Sequence, residues 1–179
     1  MFRETSVEVT RKIEATLIPS GVKVTLQEGT QVYVTQALGN SYTLHVGGNL
    51  VRIAGKDGDA IGLVVLDLPD INQQEGTLED KVWMQMRSCF DPEIPVNIVD
   101  LGLVYGCEII PLGMNEHSVK VTMTLTAAGC GMGPVLVTEV EEKIRQIKTV
   151  VDAQIDLVFD PPWDKDRMSD EAKLQLGLL

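Results

Sequence analysis

Apolar residues occupy every second position through Val119, Val121, Met123 and Leu125, with Lys120, Thr122, Thr124 and Thr126 between them. That period is the mark of a strand with one buried face. Leu136, Val140, Ile144 and Ile147 follow at helical spacing, and Pro134 suits the first turn of that helix. Upstream, Thr77 and Asp80 have the spacing of a capping box. Leu78, Val82, Met86 and Phe90 then predict a helix of about three turns, stopped by Asp91-Pro92. Residues 101–110 read as a strand and residues 111–116 as a turn. Val151, Ala153, Ile155, Leu157 and Phe159 alternate with polar partners in a third strand, ended by Pro161-Pro162. Ser169 caps a last helix that is expected to carry Ala172, Leu176 and Leu179 inward.

The first third has another grammar. Short alternating runs (Val22, Val24 and Leu26; Val32 and Val34; Tyr42, Leu44 and Val46; Val51 and Ile53) are broken by turn residues, and Gly47-Gly-Asn49 fits a hairpin. The expected fold class is therefore α+β: a small all-β N-terminal unit over residues 1–63, a linker over 64–76, and an α/β-layered domain over 77–179. The order in that domain is helix-strand-strand-helix-strand-helix.

Charge narrows the function classes. The net charge is -11, and from residue 76 onward 17 acidic residues face 9 basic ones. Such a field repels phosphate backbones and anionic membranes, so no nucleic-acid or membrane partner is expected. No apolar run approaches bilayer length, and Met1-Phe-Arg-Glu lacks the order of a signal peptide, so a cytoplasmic setting is expected. Cys89, Cys107 and Cys130 are widely spaced without a C-x-x-C pair, which argues against a disulfide framework and a zinc finger.

Cys130 stands in Thr126-Ala-Ala-Gly-Cys-Gly-Met-Gly-Pro134, on a strand-to-helix loop. A helix N-terminus there favours thiolate over thiol, whereas a small buried hydrophobe is the competing role of a lone cysteine. Asp91, Glu93 and Asp100 lie in a loop between a helix and a strand, placed either for acid-base or metal chemistry or for capping and turn bonds. The two histidines, His45 and His117, offer Cys130 no base: His117 is a whole strand away, about 20 Å. Gly55-Lys-Asp-Gly-Asp59 lacks the spacing of a phosphate or calcium loop and reads as a hairpin turn. Trp163 either covers the core edge or shapes the site, while Cys89 and Cys107 read as core.

Three segments together resemble a known family. They are Asp91-Pro-Glu-Ile-Pro95 with Ile98-Val-Asp-Leu-Gly-Leu-Val-Tyr105; Met123-Thr-Leu-Thr126 with Cys130 and Met132; and Asp160-Pro-Pro-Trp163 with Met168-Ser-Asp-Glu-Ala172. From about residue 77 onward the chain resembles the iron-sulfur cluster assembly domain family that includes PaaD-type proteins. Ile18-Pro-Ser-Gly21, Thr35-Gln-Ala-Leu-Gly39 and Asn49-Leu-Val-Arg-Ile53 resemble the N-terminal extension of its SufT-like branch. The resemblance implies a maturation factor, not an enzyme, that assembles iron-sulfur clusters for client proteins or transfers them, with assembly machinery and clients as partners. It implies Cys130 as the reactive cysteine and cluster ligand, Asp91, Glu93 and Asp100 as the acidic loop, and Thr126 as a hydrogen-bonding neighbour. Common clusters take four thiolates, so a transient cluster on Cys130 would bridge two chains or borrow ligands from a client, a small thiol or Cys89 and Cys107. A non-metal adaptor joining clients to the assembly machinery is the alternative.

Overall fold

The structure, a computed structural model, describes residues 6–66, 68–91, 93–129 and 131–179. It divides into two compact units, Met1–Leu68 and Pro69–Leu179.

In the first unit, β1 (Ser6–Glu8), β2 (Ile13–Ile18), β3 (Lys23–Leu26), β4 (Gln31–Leu38), β5 (Ser41–Val46) and β6 (Asn49–Ala54) form one antiparallel sheet in the order β1-β4-β5-β6-β2-β3. Its buried positions alternate along β4 and β5, with Val32, Val34, Tyr42 and Leu44 inside. Val46 pairs with Asn49 across Gly47 and Gly48, both at positive φ, so the hairpin lies where the Gly-Gly-Asn run predicts it. Gly55-Lys-Asp-Gly-Asp59, expected as a hairpin turn, lies instead in a 3-10 helix over Gly55–Ile61. It carries Ala60 and Ile61 into the core, and Arg11 bridges Asp57 at 3.0 Å and Asp59 at 2.8 Å.

Residues 64–76, expected as a linker, hold structure at both ends. The Tyr42 hydroxyl donates to Val64 O at 2.6 Å and Leu66 N to Gly55 O at 3.0 Å, while Ile71, in a short 3-10 turn, is buried in the second unit's core. Pro69, Asp70 and the polar run from Asn72 to Glu75 give the segment the look of a linker around these apolar anchors.

The second unit runs α1 (Leu78–Arg87), β7 (Val104–Gly113), β8 (Glu116–Met123), α2 (Gly133–Arg145), β9 (Val150–Leu157) and α3 (Asp170–Gln175). The sheet order is β7-β8-β9, antiparallel then parallel, with α2 as the crossover. Thr77 accepts from Asp80 N at 3.1 Å while Asp80 accepts from Thr77 N at 2.9 Å, a complete capping box that starts α1. Val119, Val121 and Met123 of β8 are buried with Val82 and Met86 of α1 and Leu136, Val140 and Ile144 of α2. Phe90, expected in the first helix, lies beyond its end and pairs with Asn97 in an isolated bridge. β7 also runs through Pro111 to Gly113, and the turn is only Met114 and Asn115, both in the left-handed region. An edge strand tolerates that proline because it needs no donor on its open side. No helix among the described residues is long and apolar enough to cross a membrane.

The segment after β9 packs back on the loop before β7. Trp163 Nε1 donates to Leu101 O at 2.7 Å, Ser169 N to Asp100 O at 2.8 Å and the Tyr105 hydroxyl to Pro161 O at 2.8 Å. Trp163 thus covers the core edge, one of the two roles expected for it.

Candidate functional site

β8 ends at Met123, and Leu125, in the stretch that follows, is anchored in the core. Thr126 is half-buried, Ala127 to Gly129 are exposed, and Met132 and Gly133 return to the interior at the start of α2. A Cβ on Gly133 would stand 2.9 Å from Leu125 Cδ1, so glycine lets the two ends of the loop close against each other. Met132, the N-cap of α2, makes no side-chain capping bond, and Pro134 opens the helix. Cys130 itself lies outside the described residues.

Asp91 is 5% exposed, in the loop that leaves α1. Its Oδ1 accepts from Glu93 N at 2.9 Å and Ile94 N at 2.8 Å, and the Thr126 side chain lies close enough to act on its carboxyl. The fold thereby brings the acidic loop beside the segment that leads to Cys130. Burial pushes the Asp91 carboxyl above its ordinary value. The neighbouring charge of Glu93 adds to that push, while the bonds from Ile94 and Glu93 and the Thr126 side chain oppose it.

Glu93 is exposed on the same loop. Asp100 plays a different part. Its Oδ2 accepts from Asn97 Nδ2 at 2.7 Å, and Asn97 Oδ1 accepts from Val99 N and Asp100 N. These bonds shape the turn into β7, with Asn97 rather than Asp100 receiving the backbone N–H groups. One group sequence reading passed over is Thr124, fully buried with Oγ1 lacking a partner among the described residues. Its polar place in the β8 alternation concealed it, and only the Thr-x-Thr spacing to Thr126 hinted at it.

The other thiols are poor ligands. Cys89 is fully buried, its Sγ directed at Gln85 O at 3.6 Å. Cys107 faces inward opposite Val121, and burial, reinforced by Glu79, pushes its thiol pKa up and keeps it protonated. Among the described residues no three His, Cys, Asp or Glu converge as a metal site.

The raised pKa of Asp91 has a measurable consequence. A carboxyl whose folded pKa exceeds its unfolded value of about 3.9 lends full stability below that value and loses it as pH rises through the folded one. Asp91→Asn keeps the acceptor for Glu93 N and Ile94 N without the charge. The variant is therefore expected to gain stability over wild type between about pH 4 and pH 7. Urea midpoints of both proteins across that range check this, and a difference that stays flat with pH would refute it.

A family model described as iron-sulfur cluster assembly protein matches residues 79–157. An Fe-S protein maturation auxiliary factor of Porphyromonas gingivalis is 44% identical over 101 residues, 56% of this chain and 92% of that protein. Another of that description, from Bacillus subtilis, is 36% identical over 104 residues, 58% of this chain and 98% of that one. A third, from Staphylococcus aureus and called SufT, is 41% identical over 88 residues, 49% of this chain and 96% of that protein.

Proposed function

Since the chain belongs to the iron-sulfur cluster assembly protein family, we propose that it is an iron-sulfur protein maturation auxiliary factor that acts through Cys130. It aids the assembly of clusters for client proteins or their transfer to them, and it turns over no substrate. The relatives named for this role are matched over 92% to 98% of their length. The β unit is the extension of a SufT-like branch, and the protein works in the cytoplasm, where thiols stay reduced.

The observation that carries the reactive-cysteine reading is the nearness of buried Asp91 to Thr126, which brings two loops remote in sequence together beside the segment leading to Cys130. Cys130 serves as a soft thiolate ligand to iron, and ligation releases its proton. Asp91, a carboxyl with raised pKa on the adjoining loop, is the proton-exchanging group. Four thiolates hold a common cluster, and the full burial of Cys89 and the raised pKa of half-buried Cys107 take both out of the set. The cluster is therefore cargo carried between two chains, with the second set of ligands from a partner copy, a client or a small thiol. The acidic surface, with Glu93 on it, serves recognition of clients and of the assembly machinery.

Anaerobic reconstitution with iron and sulfide, followed by absorbance and Mössbauer spectra, tests this on wild type and Cys130→Ala. Wild type is expected to develop a cluster chromophore that the variant lacks. Identical spectra would remove Cys130 as a ligand. Client maturation that survives Cys130→Ala, with no chromophore in either protein, would make the chain a non-metal adaptor.

A further inference from the structure

A cleft of ≈ 320 Å³ in the second unit is built from three segments far apart in sequence. Asn72 fastens two of them: its Nδ2 donates to Gln146 O at 2.8 Å and its Oδ1 accepts from Lys148 N at 2.9 Å. His117 N donates to Thr149 O at 2.8 Å and brings the start of β8 to the same turn between α2 and β9. Lys81, from α1, and Lys148 stand on the rim, and neither is in an ion pair among the described residues. Half-buried Leu78 and buried Ile147 supply apolar wall. Asp80, packed by the lining residue Gly76, is already accepting from Thr77 N at 2.9 Å.

His117 adds an imidazole to the lining. Its Nδ1 is buried with no partner among the described residues, an unsatisfied polar atom at the cleft. Two ammonium groups and an imidazole beside aliphatic wall, in a unit otherwise net negative, match an anion with an apolar body.

We propose that this cleft binds a carboxylate on a short aliphatic stem, the oxygens held by Lys81, Lys148 and His117 and the stem lying on Leu78 and Ile147. The site is separate from the Cys130 loop and stands or falls independently of the cluster reading. The shared chemistry has two sources, a free aliphatic acid or the carboxyl terminus of a polypeptide ending in an aliphatic residue.

Titration of the 15N-labelled full chain, read at the backbone amides of Lys81, His117 and Lys148, tests it. Hexanoate is expected to give saturable shifts there, with acetate and 1-hexanol at least about tenfold weaker because each lacks half of the match. The double variant Lys81→Gln and Lys148→Gln, folded as judged by unchanged peaks elsewhere, should lose at least about tenfold in hexanoate affinity. A peptide ending in leucine with a free carboxylate, compared with its amide, separates the sources. Tighter binding than hexanoate identifies a polypeptide terminus, and equal or weaker binding a free acid. Inorganic phosphate or acetate binding as tightly as hexanoate, or hexanoate shifts that persist in the double variant, would overturn the proposal.

Discussion

Gly102→Ala is expected to destabilise the second unit by roughly 3 kcal/mol, the range reserved for backbone clashes and strain. Gly102 has φ +76, a conformation that costs an L side chain about 1 kcal/mol or more. Space is the larger obstacle, because an added Cβ would meet the carbonyl of Arg167. That close approach lets the post-β9 segment lie on the loop before β7, where Leu101 O receives Trp163 Nε1, Asp100 O receives Ser169 N and Arg167 stacks over the Tyr105 ring at 4.5 Å. Alanine must push the segment away and break these bonds together. The urea midpoint should fall, and Trp163 fluorescence should change before global unfolding as its indole loses the Leu101 carbonyl. A midpoint close to wild type with unaltered fluorescence would show that the segment accommodates the methyl group.

Lys143→Ala should cost a comparable amount, about 3 kcal/mol, because it dismantles a buried polar contact between α1 and α2. The Lys143 side chain is 8% exposed, and its Nζ donates to Ser88 O at 2.7 Å and Ser88 Oγ at 2.9 Å, with Glu139 Oε1 at 3.5 Å. Gln85 Nε2 donates to the Lys143 carbonyl at 2.6 Å beside them. Alanine leaves the Ser88 carbonyl without this donor, opens a void where the stem lay and deprives Glu139 of its counter-charge. Lys143→Met fills the same volume without the ammonium and should recover part of the loss. Paired urea titrations of the two variants separate stem from charge. Equal losses would assign the whole effect to the ammonium.

These effects also mark the limit of what the residue order reveals. The alternation through Met123 and the stripe from Leu136 to Ile147 each specify a face, because pleat and helix repeats are local geometry. The capping box at Thr77 was legible for the same reason: its partners are three positions apart. Phe90 was misplaced because it continues the helical spacing, yet Ser88 closes the helix and the chain turns to pair with Asn97. Asp91, Glu93, Asp100 and Thr126 were all legible as candidates, but their separate duties were not. Asp91 bonds to Glu93 N and Ile94 N beside Thr126, whereas Asp100 bonds to Asn97.

By itself the sequence determined the two-part grammar of the chain, the β8-to-α2 run around Cys130, and the motifs by which its family is known. Tertiary structure alone decided that Asp91 reaches Thr126, that Gly102 must admit Arg167, that Lys143 is buried, and that Lys81, His117 and Lys148 share one cleft. The physical reason is one of range. Backbone periodicity assigns each residue to a face of its own element, but burial, pKa and close approach depend on which distant segment packs against that face.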